Sequence, residues 1–226
     1  MSTLHVVRVF LGPGGDGGNP LGVFLDGSAV PADRRQAVAG DLGYSETVFV
    51  DAVADATARI RILTPGVELP FAGHPAVGTS WLLRHLGRPV DTLEVSAGSV
   101  RTWPENGLTW IRARPEWVYP VRFVEYATPG EVDDLAPPPL GEESLCVWAW
   151  EDAGLGAIRA RFFPDEPDVL EDEATGGAAV VLGARLGRPL TIRQGVGSEL
   201  HVRPGPDGTI DVGGRCALVE VRDYRT

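Results

Sequence analysis

Along the chain, apolar positions gather in short runs bounded by glycine, proline and small polar residues. Runs at 4–10, 21–25, 47–50 and 59–63 are rich in β-branched and aromatic residues, which predicts strands. The same composition predicts strands at 109–112, 145–150, 158–163, 200–203 and 217–222. Two longer segments break this rhythm. Residues 74–86 read as a helix, with Pro75 suited to a first turn and Gly87 then Pro89 supplying a stop. Residues 177–186, containing Ala178-Ala179-Val180-Val181-Leu182, have almost no polar face, and a helix apolar nearly all round must be buried. A third helix, 31–42, is amphipathic, with Ala37, Val38 and Leu42 predicted to face inward. The stretch 115–141, with Pro137-Pro138-Pro139, reads as an irregular connection.

The two buried helices belong to an internal repeat. Leu86-Gly87-Arg88-Pro89 recurs as Leu186-Gly187-Arg188-Pro189. Upstream, Glu68-Leu69-Pro70-Phe71-Ala72-Gly73-His74 faces Glu171-Asp172-Glu173-Ala174-Thr175-Gly176-Gly177. Downstream, the run from Leu93 to Val100 resembles Leu190 to Gly195 followed by Gly197 to Leu200. Three matches in one order indicate duplicated halves. The expectation is an α/β (α+β) fold of two halves, 1–114 and 115–226, each wrapping a strongly bent sheet around one central helix. The boundary falls near Arg114.

Composition narrows the chemistry. A length of 226 residues holds one large domain or two small ones. The formal net charge of −11 repels phosphate backbones, which argues against nucleic acid as a partner. All 20 basic residues are arginine. Without lysine there is no Schiff-base chemistry and no Walker-type phosphate loop. Two cysteines, Cys146 and Cys216, make neither a disulfide framework nor a four-ligand zinc site, and both read as buried small hydrophobes. The histidines show no metal spacing. No run of about 18 apolar residues predicts a membrane span. The segment Met1 to Val6 lacks the pattern of a secretory signal, so the expected location is cytoplasmic. Gly12-Pro13-Gly14-Gly15-Asp16-Gly17 fits a dinucleotide-binding pattern, but it leads to a strand rather than a helix and is rejected as such a site.

A buried helix that begins at a glycine turn leaves its first N–H groups without partners, at the positive end of its dipole. Two such ends occur, at Gly73-His74 and at Gly176-Gly177, and pseudo-twofold packing would point both into one cleft as a carboxylate or phosphate site. The acids near them are Glu46, Glu68, Glu171, Asp172 and Glu173. Glu46 stands at the entrance of the apolar run Thr47 to Val50, where partial desolvation would raise its pKa toward that of a general base. An exposed strand-end acid fits the same spacing. His74 and Asp172 likewise fit plain roles, as a capping histidine and as a first-turn acid.

Three phrases resemble the PhzF-like family of phenazine biosynthesis: Gly18-Asn19-Pro20-Leu21-Gly22-Val23-Phe24, Ser45-Glu46-Thr47-Val48-Phe49, and Glu68 through Gly78. Glu171-Asp172-Glu173-Ala174-Thr175-Gly176, followed by Gln194-Gly195, extends the match in the same order. The resemblance implies the diaminopimelate-epimerase-like fold, with mostly antiparallel sheets and an active site between the halves. It implies an isomerase that needs no metal or organic cofactor, acts on a small carboxylate and forms a homodimer. It carries the proton-shuttling role to Glu46 and the accompanying catalytic roles to His74 and Asp172. Substrate binding would fall to Asn19, Ser45, Gly73, Gly176, Gly177 and Gln194. Two departures stand out. The second half is short, and Gly177 stands where the phenazine enzyme has a serine that contacts the substrate carboxylate. Two other readings share the fold: a binding protein without catalysis, and a racemase or epimerase with paired thiols, which is disfavoured because neither Cys146 nor Cys216 lies in the helix-start turns.

Overall fold

The computed structural model describes residues 2–138, 143–165 and 169–225. The first half of the chain forms β1 (Ser2–Leu11), β2 (Gly17–Phe24), α1 (Arg35–Leu42), β3 (Glu46–Ala54), β4 (Thr57–Leu63), β5 (Glu68–Leu69), α2 (Gly73–His85), β6 (Thr92–Val95), β7 (Gly98–Glu105) and β8 (Leu108–Ala113). The second forms β9 (Arg122–Glu125), α3 (Pro129–Asp133), β10 (Leu145–Asp152), β11 (Ala157–Phe163), α4 (Gly176–Leu186), β12 (Leu190–Gln194), β13 (Ser198–Pro204) and β14 (Ile210–Tyr224).

The pairing repeats. In the first half β2 and β3 are parallel, β3 and β4 antiparallel, β4 and β6 parallel, and β6 and β7 antiparallel. In the second half β9 and β10, β10 and β11, β11 and β12, and β12 and β13 repeat that alternation in order. Both parallel pairs of each half are bridged by a helix, α1 and α2 in the first, α3 and α4 in the second, as parallel neighbours require. The internal repeat in the sequence is thus a repeat of strand–helix–strand crossovers.

Each central helix fills its sheet. Gly73 through Ser80, Leu82 and Leu83 of α2 are buried, as are Gly176, Ala178, Ala179, Val180, Leu182 and Gly183 of α4. Both meet one hydrophobic cluster that runs through the two halves. The recurring Leu-Gly-Arg-Pro is the helix stop. Gly87 and Gly187 take φ of +75° and +63°, a left-handed conformation that favours glycine, and proline follows two residues on.

The barrel of the first half closes through the last strand. Ile210–Gly214 of β14 pair with β8, whereas Arg215–Tyr224 pair with β1, which also pairs with β2. A division at residue 114 therefore assigns to the second half a strand that completes the first.

Several elements differ from the sequence expectation. Strands β6, β7 and β12 occupy segments without the dense β-branched runs used to find the others, and tertiary pairing decides them. The connection after residue 114 is not irregular throughout. It carries β9 and the short α3, whose start is a capping box between Thr128 and Glu131. Residues 139–141 of that connection lie outside the described residues. In α1 Val38 and Ala39 are buried and Leu42 packs half-buried against the same cluster, while Ala37 is exposed. A turn of 3-10 geometry at Ala32–Arg34 precedes α1, so the helix begins at Arg35 rather than at residue 31. Among the described residues no helix is long and apolar enough to cross a membrane.

Candidate active site

The two buried helices begin against each other. A Cβ built on Gly73 would lie 2.7 Å from the backbone of Gly176, and one built on Gly176 would lie 2.8 Å from the Cα of Gly73. Only glycine permits that approach. Neither helix has a side-chain cap. In α4 the reason is visible: Thr175 holds the cap position, but its hydroxyl donates instead to Asp172 Oδ2 at 2.5 Å. The first N–H groups of both helices are therefore left for a ligand.

Beside these ends lies a small cavity of about 20 Å³. A water needs roughly 10–15 Å³ of such space, so the cavity admits solvent but nothing larger. Its polar lining comes from Glu46, His74, Asp172 and Thr175, with the backbone of Gly73, Gly176 and Gly177. Its apolar wall is Leu69, Phe71, Val118 and Tyr119. Leu69 and Tyr119 also line an outer groove of about 720 Å³.

Glu46 begins β3, in register with Leu21 of β2. Its Oε2 is buried without a hydrogen bond, 3.3 Å from His74 Nδ1. Burial pushes its pKa up to about 7, against a smaller lowering by the Ser45 hydroxyl. His74, the second residue of α2, is 2% exposed and its Nε2 has no hydrogen-bond partner. Burial depresses it to about 4, more than Asp172 and the Pro20 backbone raise it, so the ring is neutral at physiological pH. Asp172 is pushed up to about 6, first by burial and next by the charge of Glu46. Two carboxyl groups with raised pKa and a neutral imidazole thus share one small, nearly dry space.

The remaining residues divide by what they touch. Gly177 lines the cavity, and a Cβ there would meet Val118 Cγ1 at 3.3 Å, so a serine would fit only if Val118 gave way by a few tenths of an ångström. Gln194 is 2% exposed and holds the turn before α4. Its Nε2 donates to the Asp172 carbonyl and to Thr175 Oγ1, both at 2.9 Å, and its Oε1 accepts from Thr175 N–H at 3.2 Å. Asn19 donates from Nδ2 to Asp172 Oδ1 at 2.6 Å and to the Ala174 carbonyl at 3.1 Å. Its Oδ1 accepts from Ser45 Oγ at 3.2 Å. The other acids near the helix ends are engaged elsewhere. Glu68 pairs with Arg61, Glu171 pairs with Arg161, and Glu173 accepts from Val196 N–H and Ser198 Oγ.

Thr175 and the apolar wall were not singled out in the sequence. Thr175 carries a legible signal, a hydroxyl residue directly before a glycine-led helix. Val118 and Tyr119 carry none, since they come from the connection between halves. Among the described residues no group of three or more His, Cys, Asp or Glu side chains is placed to hold a metal ion.

Comparison with known proteins bears on this arrangement. A family model described as phenazine biosynthesis-like protein matches residues 14–107. The trans-2,3-dihydro-3-hydroxyanthranilate isomerase of Pseudomonas fluorescens is 30% identical over 227 residues, covering 79% of this chain and 81% of that one. The chain belongs to the phenazine biosynthesis-like family. An uncharacterised isomerase of Pasteurella multocida is 38% identical over 105 residues, 45% of this chain and 36% of that protein, so the match reaches little more than a third of that relative. A PhzF-family structure from Enterococcus faecalis superposes with a TM-score of 0.81 at 18% identity, covering 100% of both chains. A predicted epimerase from Pseudomonas aeruginosa gives 0.75 at 25% identity, again over 100% of both. The phenazine biosynthesis-like fold is thus the epimerase-type fold of two similar halves. Within it, the thiols stand apart from the site. Cys146 packs against Phe162 and Ala178, Cys216 pairs across the sheet with Val9, and neither lines the cavity. Burial raises both thiol pKa values, Cys146 to about 12.

Proposed function

We propose that this protein is an isomerase that moves a proton on a small carboxylate substrate, with Glu46 as the group that takes and returns it. One observation carries the reading: Glu46 is a half-buried side chain whose Oε2 is fully buried and unpartnered, on the wall of the space beside two uncapped helix starts. The substrate carboxylate binds at those starts, on the N–H groups of Gly73, Gly176 and Gly177, where the helix dipoles favour an anion. Its remaining body, a small ring, extends past Leu69 and Tyr119 toward the groove that both also line, and the cavity widens to admit it. A carboxyl with pKa about 7 is divided between acid and base near neutral pH, so one group serves both halves of a proton shift. His74 is neutral and can donate or accept a hydrogen bond without adding charge. Asp172 orients the polar end of the substrate. The naming of relatives as isomerases of trans-2,3-dihydro-3-hydroxyanthranilate supports the reaction class and suggests the first substrate to try.

The test begins with trans-2,3-dihydro-3-hydroxyanthranilate and a set of small cyclic amino and hydroxy acids, screened by thermal shift because a ligand that binds only the folded state raises its melting point. Ligands that bind are then followed by proton NMR in D2O. Turnover is expected, and Glu46→Gln lowers it about 100- to 10,000-fold with little change in binding. Wild-type turnover in Glu46→Gln overturns the role of Glu46. Tight binding of ligands with no turnover of any favours a binding protein on the same fold.

A further inference from the structure

Strand register matches each site residue to a counterpart in the other half. In the first half Gly22, Thr47 and Leu63 stand side by side across β2, β3 and β4; in the second Arg122, Leu145 and Phe163 do so across β9, β10 and β11. Glu46 precedes Thr47 as Ser144 precedes Leu145, and Asn19 stands three residues before Gly22 as Tyr119 stands before Arg122. Leu69 pairs with Ile62 as Asp172 bridges to Phe162, and Gly73-His74 open α2 as Gly176-Gly177 open α4. The counterparts of Asn19, Glu46, His74 and Asp172 are therefore Tyr119, Ser144, Gly177 and Leu69. The first set carries two carboxyls and an imidazole; the second carries neither. Ser144 is 5% exposed, and its hydroxyl oxygen accepts from the Asp165 N–H at 3.0 Å. Where the first set encloses the acids, Leu69, Tyr119 and Ser144 of the second line the outer groove of about 720 Å³, beside Val67, Pro120 and Val169.

We infer that this groove, the apolar counterpart of the acid-bearing half, receives an uncharged alkyl or aryl arm of the substrate, so that the preferred substrate is a small ring carboxylate extended by such an arm. The groove is continuous with the cavity beside the acids, because Leu69 and Tyr119 line both. The cavity alone, about 20 Å³, holds no more than the reacting edge of a ligand. The groove has the volume of sites that hold whole organic ligands, roughly 300–1,000 Å³. Val67 and Tyr119 on its wall are 57% and 42% exposed, apolar surface that an arm would take out of water. Glu143, paired with Arg122 at 2.6 Å, and Asp165 stand exposed on the same wall, so a second carboxylate on the arm meets like charge. The inference rests on the substrate carboxylate binding at the helix starts, and it extends that reading to the part of the substrate that does not react.

The experiment is calorimetric titration of the full chain with anthranilate and with anthranilates carrying an n-butyl, phenyl or carboxyethyl arm at each free ring position. At one position the butyl and phenyl arms tighten binding about 10- to 100-fold over anthranilate, the gain expected from covering a few CH2 groups, and the carboxyethyl arm does not. Val67→Asp places a charge on the groove wall at an exposed site away from the acids. It removes most of the gain and leaves the Kd of anthranilate unchanged. No gain from any arm, or a gain that survives Val67→Asp, overturns the inference, as does failure of every ligand to bind. Light scattering is run beside it: a change in the mass of the assembly in Val67→Asp assigns the groove to a second copy of the chain and also overturns it. The proton-transfer reading is judged separately. Turnover of a compact substrate with no gain from any arm leaves the isomerase and sinks the groove, whereas a gain lost in Val67→Asp with no turnover leaves the groove and sinks the isomerase.

Discussion

Removing the charge of Glu46 is expected to make this protein more stable in alkaline solution, although it removes the group proposed to carry the proton. The reason is linkage. Burial holds Glu46 at about 7, against an ordinary value of 4.5, so the folded state binds its proton more tightly than the unfolded chain does. That contribution is fully present below about pH 4.5 and is lost as pH rises through about 7. Above that range the native state carries a buried carboxylate that costs about 3 kcal/mol relative to the unfolded chain. Glu46→Gln has the same shape and no charge, so it escapes the cost. It also removes the neighbouring charge that helps raise Asp172, which adds in the same direction. The assay is urea unfolding of wild type and Glu46→Gln at pH 5 and pH 8.5, read by tryptophan fluorescence. At pH 5 the variant lies close to wild type. At pH 8.5 it gains about 3 kcal/mol, or about 6–12 °C in melting temperature for a chain of this size. An offset between the two proteins that is the same at both pH values refutes the buried, proton-holding carboxyl.

Further outcomes follow from the same geometry. Gly176→Ala puts a Cβ 2.8 Å from Gly73 Cα, so urea unfolding shows a loss of about 1–3 kcal/mol from overpacking, and unchanged stability refutes the contact between the helix starts. Gln194→Leu strips three hydrogen bonds from the Asp172–Thr175 turn, and the buried groups left unpaired cost about 1–3 kcal/mol each, measured the same way. Cys146→Ala with Cys216→Ala keeps turnover in the assay above; loss of turnover with binding intact revives thiol chemistry. In a pH series, kcat/KM rises through about pH 7 as Glu46 ionises in the free enzyme, and a profile flat from pH 5 to 8 contradicts Glu46 as the base.

Much of the fold is determined by the order of residues alone. The run at 177–186, with almost no polar face, has no stable place except inside a sheet, and the repeated Leu-Gly-Arg-Pro marks the same left-handed stop twice. Dense β-branched runs locate nine strands, because a pleated, half-buried surface selects those side chains locally. Strands such as β6 and β12 lack that density, and their place comes from pairing with segments far along the chain. Within the site, the sequence singles out Glu46, His74 and Asp172 through phrases matched to a family, yet a strand-end glutamate is locally indistinguishable from an exposed one. What raises the pKa of Glu46, and so supports the role proposed for it, is the small cavity walled by Val118 and Tyr119 from the connection between halves. Gln194 and Asn19 show the same limit: their residue types suit a substrate contact, and only the packing of the two halves directs their amides to Asp172. Burial and charge proximity are properties of neighbours distant in sequence, so they exist only once the halves meet.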